Sequence, residues 1–383
     1  MTRSTLAGGL ILAVASACGA APLPGPAPES LIIRVGIAVE QPSVHIASDG
    51  PVVAEEPDTG VAVGLPGQAW TILPLPHGLD AGGFEFGPRV RLRPEAGLLR
   101  VEGRAYRGVI EIRRTAQGRV TAINEVGLEA YLYGVIKPEI DPKWPAEAVK
   151  AQAVAARTLA VERVSASGAR SPAAGYDLPA TTDAQVYLGA AAEDPAATAA
   201  VDATRGVVVT YQGLPIFAAY HSNSGGHTED SENVWGTVYP YLRGLPDPYA
   251  LGAPGASWSA RLPLATVATQ LRRGGVEIPG LHGLLPGRMT PWGRAITVRL
   301  LADEGQTREI GANRFRLLVG PEVLRSTMFT IYHQGPDVEF TGRGAGHGVG
   351  LDQWGARAMA SVGFTYEQIL EYYYTRVAIE PRF

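Results

Sequence analysis

Cysteine is almost missing from this chain. Cys18 is the only one in 383 residues, so no internal disulfide can form and the fold is not a disulfide scaffold. Lysine is scarce as well: it occurs only at Lys137, Lys143 and Lys150, and arginine carries nearly all the remaining positive charge. That bias is a matter of codons, not of function. Charge of one sign is also lacking, since 33 basic residues face 37 acidic ones for a net charge of −4. No basic field exists to hold nucleic acid. Past the N-terminus, no apolar stretch reaches the roughly 20 residues needed to span a bilayer. What remains is ordinary globular composition, 46% apolar and 18% charged, long enough for one large domain or two smaller ones. No internal repeat is visible.

The first 18 residues read as a secretory signal. Arg3 supplies the positive start, Leu6 to Ala15 the apolar run, and Ala15-Ser16-Ala17 the small residues before Cys18. Ala15-Ser16-Ala17-Cys18 resembles a bacterial lipobox, with alanine where leucine is usual. The expectation is a lipidated Cys18 as the mature N-terminus; plain signal-peptide cleavage is the alternative. Residues 19–30 are a proline-rich tether that would hold a domain off the membrane.

Residues 31–126 alternate polar and apolar and are broken by Gly97, Gly103, Gly108 and Gly118, the pattern of a meander of short antiparallel strands. Residues 127–383 read as the catalytic core. In it Pro145 to Val164 is an Ala-rich helix with proline at its first position. Glu147, Lys150 and Arg157 share an arc of about 80° on a 3.6-residue wheel, which predicts a helix buried nearly all round with one polar stripe. Asp194–Thr204 and Leu262–Arg273 read as helices, and Gly206–Tyr220 as a hairpin turning at Gln212-Gly213. Gly293–Val319 alternates like a hairpin around Asp303-Glu304-Gly305, and Met328–Phe340 is a strand pair. Two helices near Asp352–Ser361 and Tyr366–Tyr373 end the chain. Strands and helices mix without a βαβ rhythm, so the expected class is α+β: short antiparallel strands, a buried Ala-rich helix and C-terminal helices.

Three segments carry candidate chemistry. In Tyr133-Gly134-Val135-Ile136-Lys137-Pro138-Glu139-Ile140-Asp141-Pro142, Glu139 sits on a loop stiffened by two prolines just ahead of the long helix. Apolar neighbours Ile136, Ile140 and Trp144 favour its neutral form and the nearby helix start its ionised form, a balance suited to acid/base work. Its blander role is capping that helix or pairing with Arg157. In Gly342-Arg343-Gly344-Ala345-Gly346-His347-Gly348-Val349-Gly350, glycine recurs every second residue. An extended chain would put all the glycines on one bare face, open to backbone or ligand, with His347 on the other. A nucleotide loop lacks its strand–turn–helix context here. His347 alone fits a structural histidine. In His221-Ser222-Asn223-Ser224-Gly225-Gly226-His227-Thr228, two histidines are too few for zinc unless Glu229, Asp230 or Glu232 joins, and neither serine lies in a nucleophile elbow. A polar substrate-facing loop is the simpler reading. Trp144, Trp235, Trp354 and Tyr187 are candidates for stacking on sugars.

Taken together, these segments resemble the stage II sporulation protein D and amidase-enhancer family. YLYGVIKPEIDPKWPAEAVKAQAVAARTLA is similar to its signature, HSNSGGHTEDSENVWG to its central loop and GRGAGHGVGLDQWGARAMASVGFTYEQIL to its C-terminal motif. The resemblance covers the chain beyond the tether. It implies a secreted, membrane-anchored envelope protein acting as a lytic transglycosylase on peptidoglycan glycan strands stripped of stem peptides. Its acid/base is a glutamate that falls on Glu139, although the family's Glu-Met-Pro reads Glu139-Ile140-Asp141 here. The substrate contacts implied are Lys150, Gln152, Arg157, Gln185, Tyr187, Ser222, Ser224, Gly225, Gly226, His227, Arg343, His347 and Gln353. Lys150 and Arg157 are assigned to orient Glu139 or hold a muramic lactyl carboxylate. Some members hold zinc near the central loop through a cysteine that this chain lacks, so no cofactor is expected. The rival readings are a non-catalytic modifier of a cell-wall amidase and a metal-dependent hydrolase built on His221, His227 and His347. Asp141 and Asp183 are the candidates for a second acid.

Overall fold

The computed structural model describes residues 31–170, 174–181 and 184–382. Cys18, the tether and Asp183 lie outside them. The class is α+β, as expected. The N-terminal strands form two sheets over one shared core, where the sequence suggests one meander. Ile32–Gln41, Val120–Gly127, Val109–Arg114, Arg89–Pro94, Val52–Glu55 and Ala62–Leu65 run antiparallel in that order, with Leu178–Pro179 added in parallel at the edge. The second sheet orders Arg104–Tyr106, Leu99–Val101, Val44–Ser48, Ala69–Pro74, Leu79–Ala81 and Phe84–Phe86. The period of two delivers one face of each strand to the interior: Ile33, Val35, Val90, Leu92, Ile110 and Ile112 meet Ile46, Ile72 and Leu99.

Four helices follow: α1 (Leu128–Tyr133), α2 (Ile136–Glu139), α3 (Ala146–Arg170) and α4 (Pro195–Ala203). Helix α3 lies between two cores. Val149, Ala153, Ala156 and Ala160 pack on the sheets' core, while Ala148, Ala151, Val154, Ala155 and Leu159 pack on a second one. Both sets follow the three-and-four spacing of a helix face. Small side chains let neighbours approach on both sides, which is why the helix is alanine-rich. Its polar stripe does not reach solvent along its length, because Arg157 is fully buried.

The second core gathers the strand Val207–Tyr211, which pairs with Ala378–Pro381 near the C-terminus. Around it lie α5 (Ser231–Trp235) and two helices from the end of the chain. Between them, residues 257–343 build a third unit with its own core of Leu271, Val298, Leu300, Phe315 and Phe340. This unit contains α6 (Leu264–Arg273) and α7 (Ala312–Val319). The hairpin around Asp303-Glu304-Gly305 forms as expected, but its second strand stops at Gly311. The following residues are helical because Ala312, Phe315, Arg316 and Val319 recur at helical spacing and face inward. The chain closes with α8 (Gln353–Ser361) and α9 (Tyr366–Tyr373). Among the described residues, no helix is long and apolar enough to cross a membrane.

Candidate functional site

Glu139 ends α2, where Ile140 turns extended and stops the helix. Its carboxylate points into a cavity of about 710 Å³ lined also by Val186, Tyr220, Trp235, Tyr239, Arg163, Arg316 and His347. The Val186 backbone N–H donates to Glu139 Oε1 at 2.9 Å, and the Tyr220 hydroxyl lies on the same cavity wall, where it favours the ionised carboxylate. Gln353 Nε2 donates to the Glu139 main-chain carbonyl at 3.0 Å and to Gln152 Oε1 at 3.3 Å. Burial raises the Glu139 pKa above the usual glutamate value, and the Val186 hydrogen bond and the nearby Tyr220 hydroxyl partly oppose it. The group therefore holds its proton to higher pH than an exposed glutamate and can both give and take one. Among the described residues it is the only carboxylate lining the cavity. Asp141 is exposed and accepts from the Lys143 backbone N–H.

The segment that offers Val186 is fixed by its neighbours. Gln185 and Tyr187 both turn inward and are buried. Tyr131 donates to Gln185 Oε1 at 3.0 Å, and Gln185 Nε2 reaches Ala156 O at 3.2 Å and the Tyr220 hydroxyl at 3.3 Å. Tyr187 donates to Asn124 Oδ1 at 2.7 Å. Buried this way, neither is placed to touch a sugar; their alternation leaves the intervening backbone N–H free to face Glu139. Trp144 also leaves the sugar-stacking list, since it packs on Trp354 at 4.7 Å with Arg357 over both rings. Trp235 alone of the four aromatic candidates lines the cavity.

Arg157 and Lys150 are engaged elsewhere. Arg157 is fully buried and forks onto both oxygens of Glu129, at 2.9 and 2.7 Å, and also reaches Val201 O, Val207 O and Thr204. This excludes the pairing with Glu139 and leaves no donor for a substrate carboxylate. Lys150 pairs with Glu147 at 2.7 Å, and Glu147 in turn accepts from the Tyr366 backbone N–H at the start of α9.

The glycine run is not extended. Gly344, Gly346, Gly348 and Gly350 all have positive φ, between 73° and 99°, so the chain curls back at every second residue. Its main-chain groups are bound within the protein: Gly344 N–H to Ala256 O, Ala345 N–H to Asn223 O and Gly346 N–H to Arg325 O. A Cβ at Gly348 would lie 2.5 Å from the Arg294 guanidinium, and one at Gly350 2.1 Å from Ala219 O. The bare positions thus admit protein atoms, not a ligand. Arg343 is exposed at the end of the preceding strand, outside the cavity.

His347 reaches the cavity, and its Nδ1 accepts from the Val349 backbone N–H at 3.1 Å. Its pKa is pushed down to about 3 by burial and by Arg316 and Arg294, so the ring is neutral at pH 7. His221 gives Nδ1–H to Val349 O at 3.1 Å, and His227 gives Nδ1–H to Thr228 O at 2.6 Å while stacking on Trp292 at 3.9 Å. Among the described residues no three His, Cys, Asp or Glu side chains converge as metal ligands.

The rest of the central loop is a buried brace. Ser224 Oγ donates to Asp247 Oδ2 at 2.9 Å and its N–H to Asp352 Oδ2 at 2.6 Å, while Asp352 caps α8 through Gly355 N–H. Gly225 N–H bonds Asn223 Oδ1, and Gly226 N–H bonds Ser224 Oγ. Ser222 carries only a main-chain bond, from Trp354 N–H. Tyr373 donates to Asp247.

The family model described as stage II sporulation protein matches residues 116–211, the segment that holds Glu139, α3 and Val186. The stage II sporulation protein D of Bacillus amyloliquefaciens is 31% identical over 67% of this chain and 75% of its own length. The chain belongs to the stage II sporulation protein D family. A protein of Brachyspira hyodysenteriae with no described function is 35% identical over 67% of both chains. The amidase enhancer of Bacillus subtilis is 29% identical over 76% of this chain, a match that spans 46% of that longer protein.

Within the family's matched segment, the sequence exposes Glu139 but not its partners. Tyr220 lies beside a histidine that draws the eye, and Val186 contributes only its backbone, so no side-chain pattern marks it. Arg163 and Arg316 come from α3 and the third unit and meet only in three dimensions.

The Asp247–Asp352 pair makes a stability prediction. Both are buried, and burial raises both pKa values; the Asp247 charge raises Asp352 further. The folded state therefore keeps a proton that the unfolded chain releases near pH 4. The stability tied to that proton is complete below pH 4 and is lost as pH rises through the raised folded value. Urea midpoints between pH 4 and 9 should fall with pH more steeply in wild type than in Asp352→Asn, which leaves only one of the two carboxyls to titrate. Parallel profiles would show that no proton is shared.

Proposed function

We propose that this protein acts in the bacterial cell envelope as a lytic transglycosylase, cleaving the bond between N-acetylmuramic acid and N-acetylglucosamine in peptidoglycan glycan strands. The observation that carries this reading is Glu139, among the described residues the one carboxyl lining an open cavity with aromatic walls. Hydrolytic glycosidases normally need two carboxyl groups, one as acid and one as base or nucleophile. One suffices when the sugar's own 6-hydroxyl attacks. Glu139, protonated at the start, gives its proton to the leaving glycosidic oxygen. The resulting carboxylate, held by Val186 N–H and Tyr220, takes the 6-hydroxyl proton as that oxygen closes on C1. The product ends in a 1,6-anhydro ring and Glu139 is protonated again. Trp235 and Tyr239 provide apolar faces for the sugars.

Similarity to the amidase enhancer supports a second reading, a non-catalytic partner of a cell-wall amidase. Purified protein incubated with peptide-stripped glycan, alone and with an amidase, separates the two. Release of glycan fragments by the protein alone is expected. No release, together with faster amidase action on intact peptidoglycan, would favour the modifier. Anchoring through a lipidated Cys18 belongs to the same proposal and would place the cavity beside the wall.

A further inference from the structure

Arg316 projects from α7 of the third unit into the cavity that holds Glu139. It is only 9% exposed. Its Nε is enclosed with no partner, and its one side-chain hydrogen bond is a long 3.4 Å contact to Asn313, one turn earlier on the same helix. Glu322 acts on it only at longer range, since no carboxylate among the described residues comes within 4.0 Å. The other two buried arginines are provided for: Arg157 forks onto Glu129, and Arg294 has Glu229 at 3.8 Å and Ser224 O at 2.8 Å. A buried charge left without a counter-charge is unfavourable and is normally paired. Arg163 lines the same cavity. Its guanidinium lies 5.1 Å from the Phe217 ring centre, its Nε is enclosed without a hydrogen bond, and its nearest carboxylate, Glu162, is at 3.8 Å. The cavity thus offers one guanidinium, Arg316, to an anion that the protein itself does not supply, with Arg163, loosely paired to Glu162, on the same wall.

We propose that Arg316, assisted by Arg163, forms an anion subsite that takes the lactyl carboxylate of a muramic acid residue in the bound strand. This rests on the glycan reading above. In a strand stripped of stem peptides that carboxylate is the only charged group of each disaccharide. With a stem peptide attached it becomes an amide, losing both the charge and the second oxygen that a planar guanidinium grips. The subsite therefore reads whether the peptide has been removed, a discrimination that Arg157 and Lys150 are not free to make. It also gives the third unit a task, since α7 carries Arg316 to the wall of a cavity whose acid stands on α2.

The test is equilibrium binding by Glu139→Gln protein, which separates binding from turnover. The probes are muramic-acid-containing oligosaccharides with the lactyl group as free acid, methyl ester or alanine amide. The free acid should bind at least tenfold more tightly than the ester or amide. Arg316→Gln, made in the same background, should abolish that preference, and Arg316→Lys should keep part of it. Arg163→Gln should reduce the preference without removing it. Equal affinity for acid and ester, or full preference in a folded Arg316→Gln protein, overturns the subsite and leaves the transglycosylase reading standing. Preference for the acid in a protein that never cleaves glycan does the reverse. No binding of any probe overturns both.

Discussion

Glu139→Gln is expected to lower the rate of glycan cleavage about 10²–10⁴-fold, the usual cost of losing a general acid/base. Glutamine keeps the size of the side chain and an oxygen for the Val186 N–H, so the fold and glycan binding should persist. Turnover measured beside a thermal melt checks both halves. The pH dependence follows from the same geometry. Cleavage starts from protonated Glu139, so the wild-type rate should decline as pH rises through its burial-raised pKa. Tyr220→Phe removes the donor that steadies the resulting carboxylate and should lower kcat while moving that decline upward. An equally active Glu139→Gln protein would place the chemistry elsewhere.

Arg157→Met should produce the largest loss of stability, about 3–5 kcal/mol, because it leaves Glu129 charged and unpaired in the interior. The effect is conformational: Tm and the urea midpoint fall, while the folded fraction keeps its KM for glycan. Arg157→Met combined with Glu129→Gln should recover much of the loss, since the stranded charge is then gone. A raised KM at unchanged Tm would instead make Arg157 a substrate contact. The contrast matters because Arg157 stands in the same motif as Glu139, and proximity in sequence suggests a shared task. The fold assigns one residue to the cavity and the other to the seam joining α1, α3 and α4.

Much of the secondary structure was legible because it follows local rules. The turn at Gln212-Gly213 needs left-handed backbone at both positions, and both have it. Proline before α3 marks a helix start that the structure repeats. The errors have a common source. Alternating glycines suggest a flat strand, yet glycine is the residue least committed to extended backbone, and four of the five here curl the chain. A polar stripe on a helix buried nearly all round is legible, but not that its arginine is enclosed too: a helix between two cores can bury an arginine once a carboxylate from another helix meets it. Ser224, Gln185 and Tyr187 were read as substrate contacts, and each proves to be a brace, since a polar side chain in a motif looks the same whether it holds ligand or backbone. Glu139 was legible because a carboxyl confined by prolines and apolar neighbours is unusual in any setting. Tyr220, Val186, Arg163 and Arg316 were not, because their convergence depends on how far the chain returns after long intervals.

If one carboxyl does the work of two, the ends of the products carry the mark of it. Mass spectrometry of fragments released by wild-type protein from peptide-stripped glycan distinguishes the outcomes by the mass of one water molecule. Attack by the sugar's 6-hydroxyl yields 1,6-anhydro-muramic ends, and these should dominate and vanish with Glu139→Gln. Fragments with ordinary reducing ends would contradict the account, because water would then have been activated by a second acid that the cavity, among the described residues, does not contain.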